Sequence, residues 1–289
     1  MKKSTFDNII SQNLLSQVGP DSFGYHIAET NTTYPFYFTP EAFDHFVKDM
    51  NMNYPSAHEA YSRGKGSELK QAAGGKHPPK MASVASSSRF CYLALRDGAQ
   101  AFGSSAPVFF EKECRINGIS GTAPQLDACI PSENIFFEVK CHEIFDPHTI
   151  ELRNVYWNHI YGPGNDFGFS PQENPGSQSF HIPLGQFGIT GERTMFDIKQ
   201  LLCHLLGIRS TEKHPATLIY LFFKPISDTP EVQAELDELF RKLSEEIHAI
   251  FHSAPIRYFC QKNQIDLRAV AECAYVMESA ADTNIINLV

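Results

Sequence analysis

The sequence predicts an α/β protein: a central mixed sheet flanked by helices, with helical additions at both ends. Three observations predict it. Residues 122–145 (TAPQLDACIPSENIFFEVKCHEIF) alternate apolar and polar positions on both sides of a turn. Residues 195–208 (MFDIKQLLCHLLGI) repeat apolar side chains at helical spacing. Residues 216–223 (ATLIYLFF) are a short continuous apolar run, as a strand buried on both faces requires.

Composition bounds the answer. The chain has 289 residues, 42% hydrophobic and 20% charged, enough for one sizeable core or two modest ones. No apolar run is long enough to span a bilayer, so no membrane partner is expected. The opening MKKSTFDNII carries Asp7 and Asn8, followed by Ser11 and Gln12, which interrupts any signal-peptide apolar region. The seven cysteines are odd in number and scattered, with no Cys-x-x-Cys, which argues for reduced thiols and a cytoplasmic location. Cys141-His142 and Cys203-His204 match no zinc spacing and read as buried thiols.

Net charge is -9, which opposes phosphate contacts made by Lys and Arg. The charge is unevenly spread. Arg63, Lys65, Lys70, Lys76 and Lys80 are interrupted by Glu68 alone, and Arg89 and Arg96 follow. Residues 226–289 hold eleven acidic against five basic residues. One basic and one acidic face fit this pattern, and so does a plain solvated loop.

The elements follow in order. Phe6, Ile9, Ile10, Leu14 and Leu15 predict an amphipathic first helix. Residues 1–60 otherwise read as helix and loop, with the aromatic run 34–38 as packing surface. Thr39-Pro40-Glu41 opens a helix through Phe43, Phe46 and Val47, with Thr39 as cap. The Gly- and Lys-rich stretch 63–80 is a loop or a short helix inside loops; it lacks the spacing of a nucleotide-binding P-loop. Ser86-Ser87-Ser88 caps a helix running to about Phe102. Residues 108–116 (VFFEKECRI) form a strand with Glu111 and Glu113 on one face.

After the hairpin, residues 150–180 are rich in Gly, Pro and aromatics without a period and predict a long projecting loop. The helix over 195–208 ends at Gly207 and carries Gln200 and His204 on one flank. Asp228 and Glu231 open a long helix through Phe251 as a capping box. A strand over 256–260 and a last helix over 266–277 complete the expectation. The predicted division is an N-terminal extension over 1–80, a core over 81–225 and a helix-strand-helix addition over 226–289, joined as one structural unit.

The chemistry concentrates on the hairpin. Side chains alternate along a strand, so Glu138 and Lys140 share a face, and Asp127 on the preceding strand can meet them at one end of the sheet. Paired carboxylates repel unless a cation sits between them. Mg²⁺ suits the place, because it takes one or two protein carboxylates, several waters and substrate phosphate oxygens. A lysine beside it can stabilise charge on a phosphate. Either Glu111 or Glu113 can add a third carboxylate; the alternative for both is a charged edge strand that resists aggregation. The plain alternative for Glu138 and Lys140 is a solvated sheet face with a weak surface pair. Against it stands the run Ile135-Phe136-Phe137, which leads straight into Glu138, because charge inside an apolar run is costly unless paired or functional.

The order strand with acid, strand with Asp, strand with Glu-x-Lys, helix, strand resembles the PD-(D/E)XK nuclease superfamily, the restriction-endonuclease-like fold. The phrases GSELK, PPKMASVASSS, FEKECRINGISGTAPQLDACI, FFEVKCHEIF and IKQLLCHLLGI are similar to bacterial restriction-endonuclease-like proteins, over roughly residues 64–225. The resemblance implies that Asp127 and Glu138 bind the metal and that Lys140 is the catalytic lysine. It implies Glu111 rather than Glu113 as the accessory acid, and Gln200 as a glutamine on the helix after the core. The Pro-Asp pair is loosened here to Pro124-Gln125-Leu126-Asp127. The implied activity is Mg²⁺-dependent hydrolysis of phosphodiesters, with Mn²⁺ as substitute and DNA as substrate. Enzymes that cut both strands often pair, so a homodimer is one expected assembly and a monomer is left open. The alternative is a nuclease-like fold that binds nucleic acid or a protein without cutting.

Overall fold

The structure is a computed structural model that describes residues 1–64, 66–71, 76–121, 123–210, 215–272 and 285–289. Lys65, Thr122 and Cys273 therefore lie outside the described residues. The apolar spacing at the N-terminus folds as α1 (Lys3–Val18), which buries Phe6, Ile9, Ile10 and Leu14. An antiparallel hairpin follows, β1 (Phe23–Ile27) and β2 (Thr32–Phe38). This corrects the expectation of helix and loop alone: the aromatic run is a strand, and Asn31 supplies the positive φ of its turn. Helix α2 (Pro40–Asn53) starts as predicted, with Thr39 Oγ1 accepting from the Ala42 N–H at 3.3 Å. Helix α3 (Pro55–Arg63) packs beside it.

Ser86 caps α4 (Ser87–Leu95), which stops well short of Phe102. Gly98, at φ +110, breaks the chain there, and Gln100–Phe102 form a separate 3-10 turn. The strands β3 (Phe109–Glu113), β4 (Gln125–Ile130) and β5 (Ile135–Lys140) form an antiparallel meander. Residues 150–180 do not project. They hold β6 (Glu151–Arg153), α5 (Trp157–Ile160) and the start of β7 (Ser179–His181), and they bury Trp157, Tyr161, Phe167, Phe169 and Phe180. Helix α6 (Ile198–Arg209) contains Gly207 rather than ending at it. A Cβ at Gly207 would lie 2.8 Å from the Cys114 side chain and carbonyl, so this glycine lets the segment after β3 approach the helix.

Strand β8 (Ala216–Phe223) matches its predicted bounds. Helix α7 (Pro230–Phe251) is capped at Thr229 without a side-chain hydrogen bond, so the Asp228–Glu231 box is not formed. The last two elements are the reverse of the expectation. Residues 256–260 belong to helix α8 (Ala254–Asn263), and the predicted final helix begins as strand β9 (Ile265–Glu272), its remainder lying outside the described residues. Pro255 at the first turn favours the helix. A short β10 (Ile285–Asn287) pairs with β9.

The central sheet has the order β10-β9-β8-β5-β4-β3. Pairs β5–β8 and β8–β9 are parallel and the rest antiparallel, so the sheet is mixed. The C-terminal addition thus supplies strands to the sheet and is not purely helical; the N-terminal addition carries the β1–β2 hairpin. On one face, Tyr220 and Phe222 of β8 meet α6 and the segment before it, through His204 and Phe196. On the other, Phe223 meets Phe90 of α4, and Phe137 of β5 meets Phe102. Helices therefore cover both faces, as the apolar strand β8 demands.

Candidate active site

The site builds from the meander. Ala128 pairs with Phe137, so the next residues toward the sheet end, Asp127 and Glu138, stand on neighbouring strands and share a face. The backbone N–H of Val139 donates to Asp127 Oδ2 at 2.7 Å, which fixes that carboxylate at the gap between β4 and β5. Glu138 is 3% exposed, and its Oε1 accepts from Lys140 Nζ at 2.6 Å. Its other oxygen, Oε2, is buried without a hydrogen-bond partner. The structure therefore brings Asp127, Glu138 and Lys140 together, with the lysine turned toward the acids.

Electrostatics reflects this crowding. Burial, then the charge of Glu138, holds Asp127 well above the usual carboxylate range, while Lys140 and the Val139 N–H oppose the shift. Burial raises Glu138 as well, with Lys140 pulling it back. Burial works to lower Lys140, yet Glu138, Glu143 and Asp127 outweigh it, so the amine stays protonated. The charge of Glu138 is thus the second cause, after burial, that disfavours ionisation of Asp127. One lysine neutralises one of the two carboxylates.

Glu111 sits between the paired positions Phe110 and Lys112 of β3, at φ +57, a conformation uncommon outside glycine. It accepts a hydrogen bond from Gln125 Nε2. Burial, then Asp127 and Glu68, push its carboxyl up to about 8. Glu113 is exposed, pairs with Gln125 in register and lies 3.5 Å from Arg115. Of the two acids, Glu111 is the one coupled to Asp127 and Glu138.

Glu68 is the residue that sequence reasoning missed. It passed as the one acid in a basic loop, yet it is 6% exposed and its Oε2 has no hydrogen-bond partner. Lys80 Nζ lies 3.8 Å from its Oε1. A Cβ at Gly64 would be 3.2 Å from both Glu111 Oε2 and Glu68 Oε2, so the two acids crowd one point. A Cβ at Gly66 would overlap Glu68 Oε1 at 1.8 Å. The available signal was the spacing Gly64-x-Gly66-x-Glu68, two residues without side chains clearing room for a third. The four acids Glu68, Glu111, Asp127 and Glu138 thus face two lysines, Lys80 and Lys140.

Cavities flank the cluster. One of about 240 Å³ is lined by Gly64, Glu111, Glu113 and Gln125. Another of about 140 Å³ is lined by Lys140, Glu143, Asp197 and Gln200. Gln200 therefore lines the same cavity as Lys140, from the start of α6, where Asp197 Oδ1 accepts its backbone N–H at 2.9 Å. His204 does not join Gln200. It is 1% exposed, its Nδ1 lies 3.2 Å from the Tyr220 hydroxyl, and its Nε2 lies 3.7 Å from Glu138 Oε2. Burial and the nearby Lys140 lower its pKa to about 3, so the ring is neutral.

Among the described residues no three His, Cys, Asp or Glu side chains gather closely enough to enclose a metal ion. The donor set still fits a hard cation that takes two protein carboxylates and completes its shell with water and substrate. The unpartnered Glu138 Oε2 and the elevated Asp127 are the observations that fit. Among the described residues, no helix is long and apolar enough to cross a membrane. Comparison of the chain with protein-family models, curated proteins and solved structures finds no significant match.

Proposed function

We propose that this protein is a metal-dependent nuclease with a restriction-endonuclease-like core, hydrolysing phosphodiester bonds of nucleic acid, with DNA as the preferred substrate. One observation carries the reading: Asp127, Glu138 and Lys140 converge on the β4–β5 pair, where simple folding stability gives no reason to gather them. Breaking such a buried pair by removing one partner costs several kcal/mol, but its presence is weak support for stability.

Asp127 and Glu138 would hold Mg²⁺, with Mn²⁺ as a substitute. When bound, the cation supplies Lewis-acid polarisation of the scissile phosphate. The chain's own groups divide the remaining work. The Val139 N–H holds Asp127 in one orientation. Lys140, kept protonated by its acidic neighbours, offers positive charge to a phosphoryl oxygen. Gln200, on the wall of the same cavity, offers amide donors to the phosphate. Glu111, raised to about 8, exchanges a proton near neutral pH and suits a general acid or base. Glu68 adds charge that favours a cation over a second lysine.

The test is cleavage of plasmid and linear DNA by Asp127→Asn and Lys140→Ala with Mg²⁺ or Mn²⁺. Each is expected to lose on the order of 10²-fold or more while staying folded. Unchanged cleavage by the double variant refutes the assignment. A second reading, a nuclease-like module that binds without cutting, draws on the acids lining the two cavities, Glu111 and Glu113 in one and Glu143 and Asp197 in the other. Calorimetric titration with Mg²⁺ separates the two, because a binding module has no need to hold the ion there.

A further inference from the structure

The C-terminal end of α7 carries two imidazoles that the acidic cluster does not use. His248 and His252 stand one helical turn apart, and the backbone N–H of His252 donates to the carbonyl of His248 at 3.0 Å, so the turn between them is closed. Both residues are exposed, yet their rings lie 4.2 Å apart between centroids, at an interplanar angle of 54°. Among the described residues neither ring has a hydrogen-bond or ion-pair partner. The acids of the preceding turn are engaged elsewhere: Glu245 with Arg241, and Glu246 with the backbone N–H groups of Met195 and Phe196.

A chelate needs this arrangement. Residues four apart on a helix are neighbours on one face. Imidazole is a ligand that Zn²⁺, Ni²⁺ and Cu²⁺ share, and two nitrogens on one such ion, each about 2.0–2.1 Å from it, lie about 3 Å apart. Rings with centres 4.2 Å apart reach that separation by rotation about their own side-chain bonds, with no change in the backbone. Exposed side chains make such rotations in picoseconds to nanoseconds. The helix adds to the preference. Its last carbonyls leave a partial negative charge at this end, which favours a cation. His252 also lines a surface cavity of about 510 Å³, so coordination positions beyond the two imidazoles stay open to water. Mg²⁺ does not suit the pair, because it takes oxygen ligands and dehydrates reluctantly. That preference separates the two histidines from Asp127 and Glu138, whose donors are all oxygen.

We propose that His248 and His252 form a two-imidazole site for a divalent transition-metal ion of the Ni²⁺, Cu²⁺ and Zn²⁺ class, independent of the nuclease cluster. The proposal stands whether or not the chain cuts nucleic acid. Calorimetric titration of the full chain with Ni²⁺ tests it, on the wild type, His248→Ala, His252→Ala and the double variant. Both side chains are exposed, so all three variants are expected to fold. The wild type is expected to bind one Ni²⁺ about tenfold or more tightly than either single variant, because the second imidazole closes on an ion already held, at millimolar effective concentration or above. Each single variant is expected to fall to the level of the double variant, since half a chelate is worth little more than none. Zn²⁺ is expected to shift the ring ¹⁵N signals of both histidines together, a readout that needs the wild type alone. Heats of Mg²⁺ binding are expected to be the same in all four proteins. Equal Ni²⁺ binding by the wild type and the double variant, wild-type affinity in either single variant, a Zn²⁺ shift at one ring only, or displacement of Ni²⁺ by an equal concentration of Mg²⁺ would each overturn the proposal.

Discussion

Replacing Glu111 by Gln isolates the electrostatic cost of the acidic cluster. The native carboxyl titrates at about 8, against an ordinary value of 4.5, because burial and the charges of Asp127 and Glu68 disfavour ionisation. Between those values the native state holds a proton that the unfolded chain has released. Native stability therefore falls as pH rises through that window, the opposite of the usual salt-bridged carboxylate. At ~1.4 kcal/mol per pH unit the ceiling is ~5 kcal/mol. Glu111 is only partly buried, so water and side-chain relaxation reduce this to ~2 kcal/mol. Gln keeps an acceptor for Gln125 and removes the titration. Urea unfolding from pH 5 to pH 8 is the assay, with the slope m as a check that the unfolded state is unchanged. The variant is expected to match the wild type near pH 5 and to exceed it by ~2 kcal/mol at pH 8. Saturating Mg²⁺ at pH 8 is expected to close part of that gap by stabilising the wild type. Parallel stability profiles for the two proteins would falsify the assignment of an elevated Glu111.

Other substitutions probe the scaffold. Glu246 of α7 accepts the backbone N–H of Phe196 at 2.7 Å and of Met195 at 3.2 Å, so Glu246→Ala strands two donors beside the site and is expected to cost ~1–3 kcal/mol in urea unfolding. A loss under ~0.5 kcal/mol would show that the segment before α6 does not lean on α7. Gly207→Ala gains ~1 kcal/mol in helix propensity but drives a Cβ to 2.8 Å from Cys114, so net destabilisation of ~1–2 kcal/mol is expected by thermal unfolding. A higher melting temperature would mean that the Cys114 segment moves aside freely. Tyr220→Phe removes the hydroxyl beside His204 Nδ1 and is expected to cost ~1–2 kcal/mol, with a changed ¹⁵N shift of that ring nitrogen. An unchanged shift would place the hydrogen bond elsewhere.

Local chemistry made part of this fold legible. The β4–β5 hairpin has alternation on both arms and turn residues between them, and residues 216–223 are apolar throughout. Each of those signals lies within the element it specifies. Strand β9 has no such signal. Its residues Ala269, Val270 and Ala271 read equally as a helix face, and what makes them a strand is a parallel register with β8, with Tyr220 opposite Ala269 and Phe222 opposite Ala271. That register is a long-range contact across α7 and α8. The stretch 150–180 misled for a related reason. Its rings are irregularly spaced in sequence, yet Trp157, Tyr161 and Phe180 close on one another within 5.8 Å between centroids, which no period announces.

The acidic cluster divides along the same line. Asp127, Glu138 and Lys140 come from two strands joined by one turn, so their meeting follows from strand geometry and could be read in advance. Glu68 comes from a loop before α4, and only the folded chain shows it facing Glu111 past two glycines. Its cost is also what makes it informative. A buried carboxylate oxygen without a donor is a desolvation penalty that folding leaves unrecovered. Lys80, at 3.8 Å and largely exposed, offsets little of it. Glu138 Oε2 repeats the situation across the sheet end. With all four carboxyls ionised, the two lysines would leave an excess of about two negative charges. A divalent cation removes that excess in one step; protonation, as at Glu111, removes it one proton at a time. The stability of wild type and Glu111→Gln with and without Mg²⁺ across pH therefore distinguishes which of the two the fold uses.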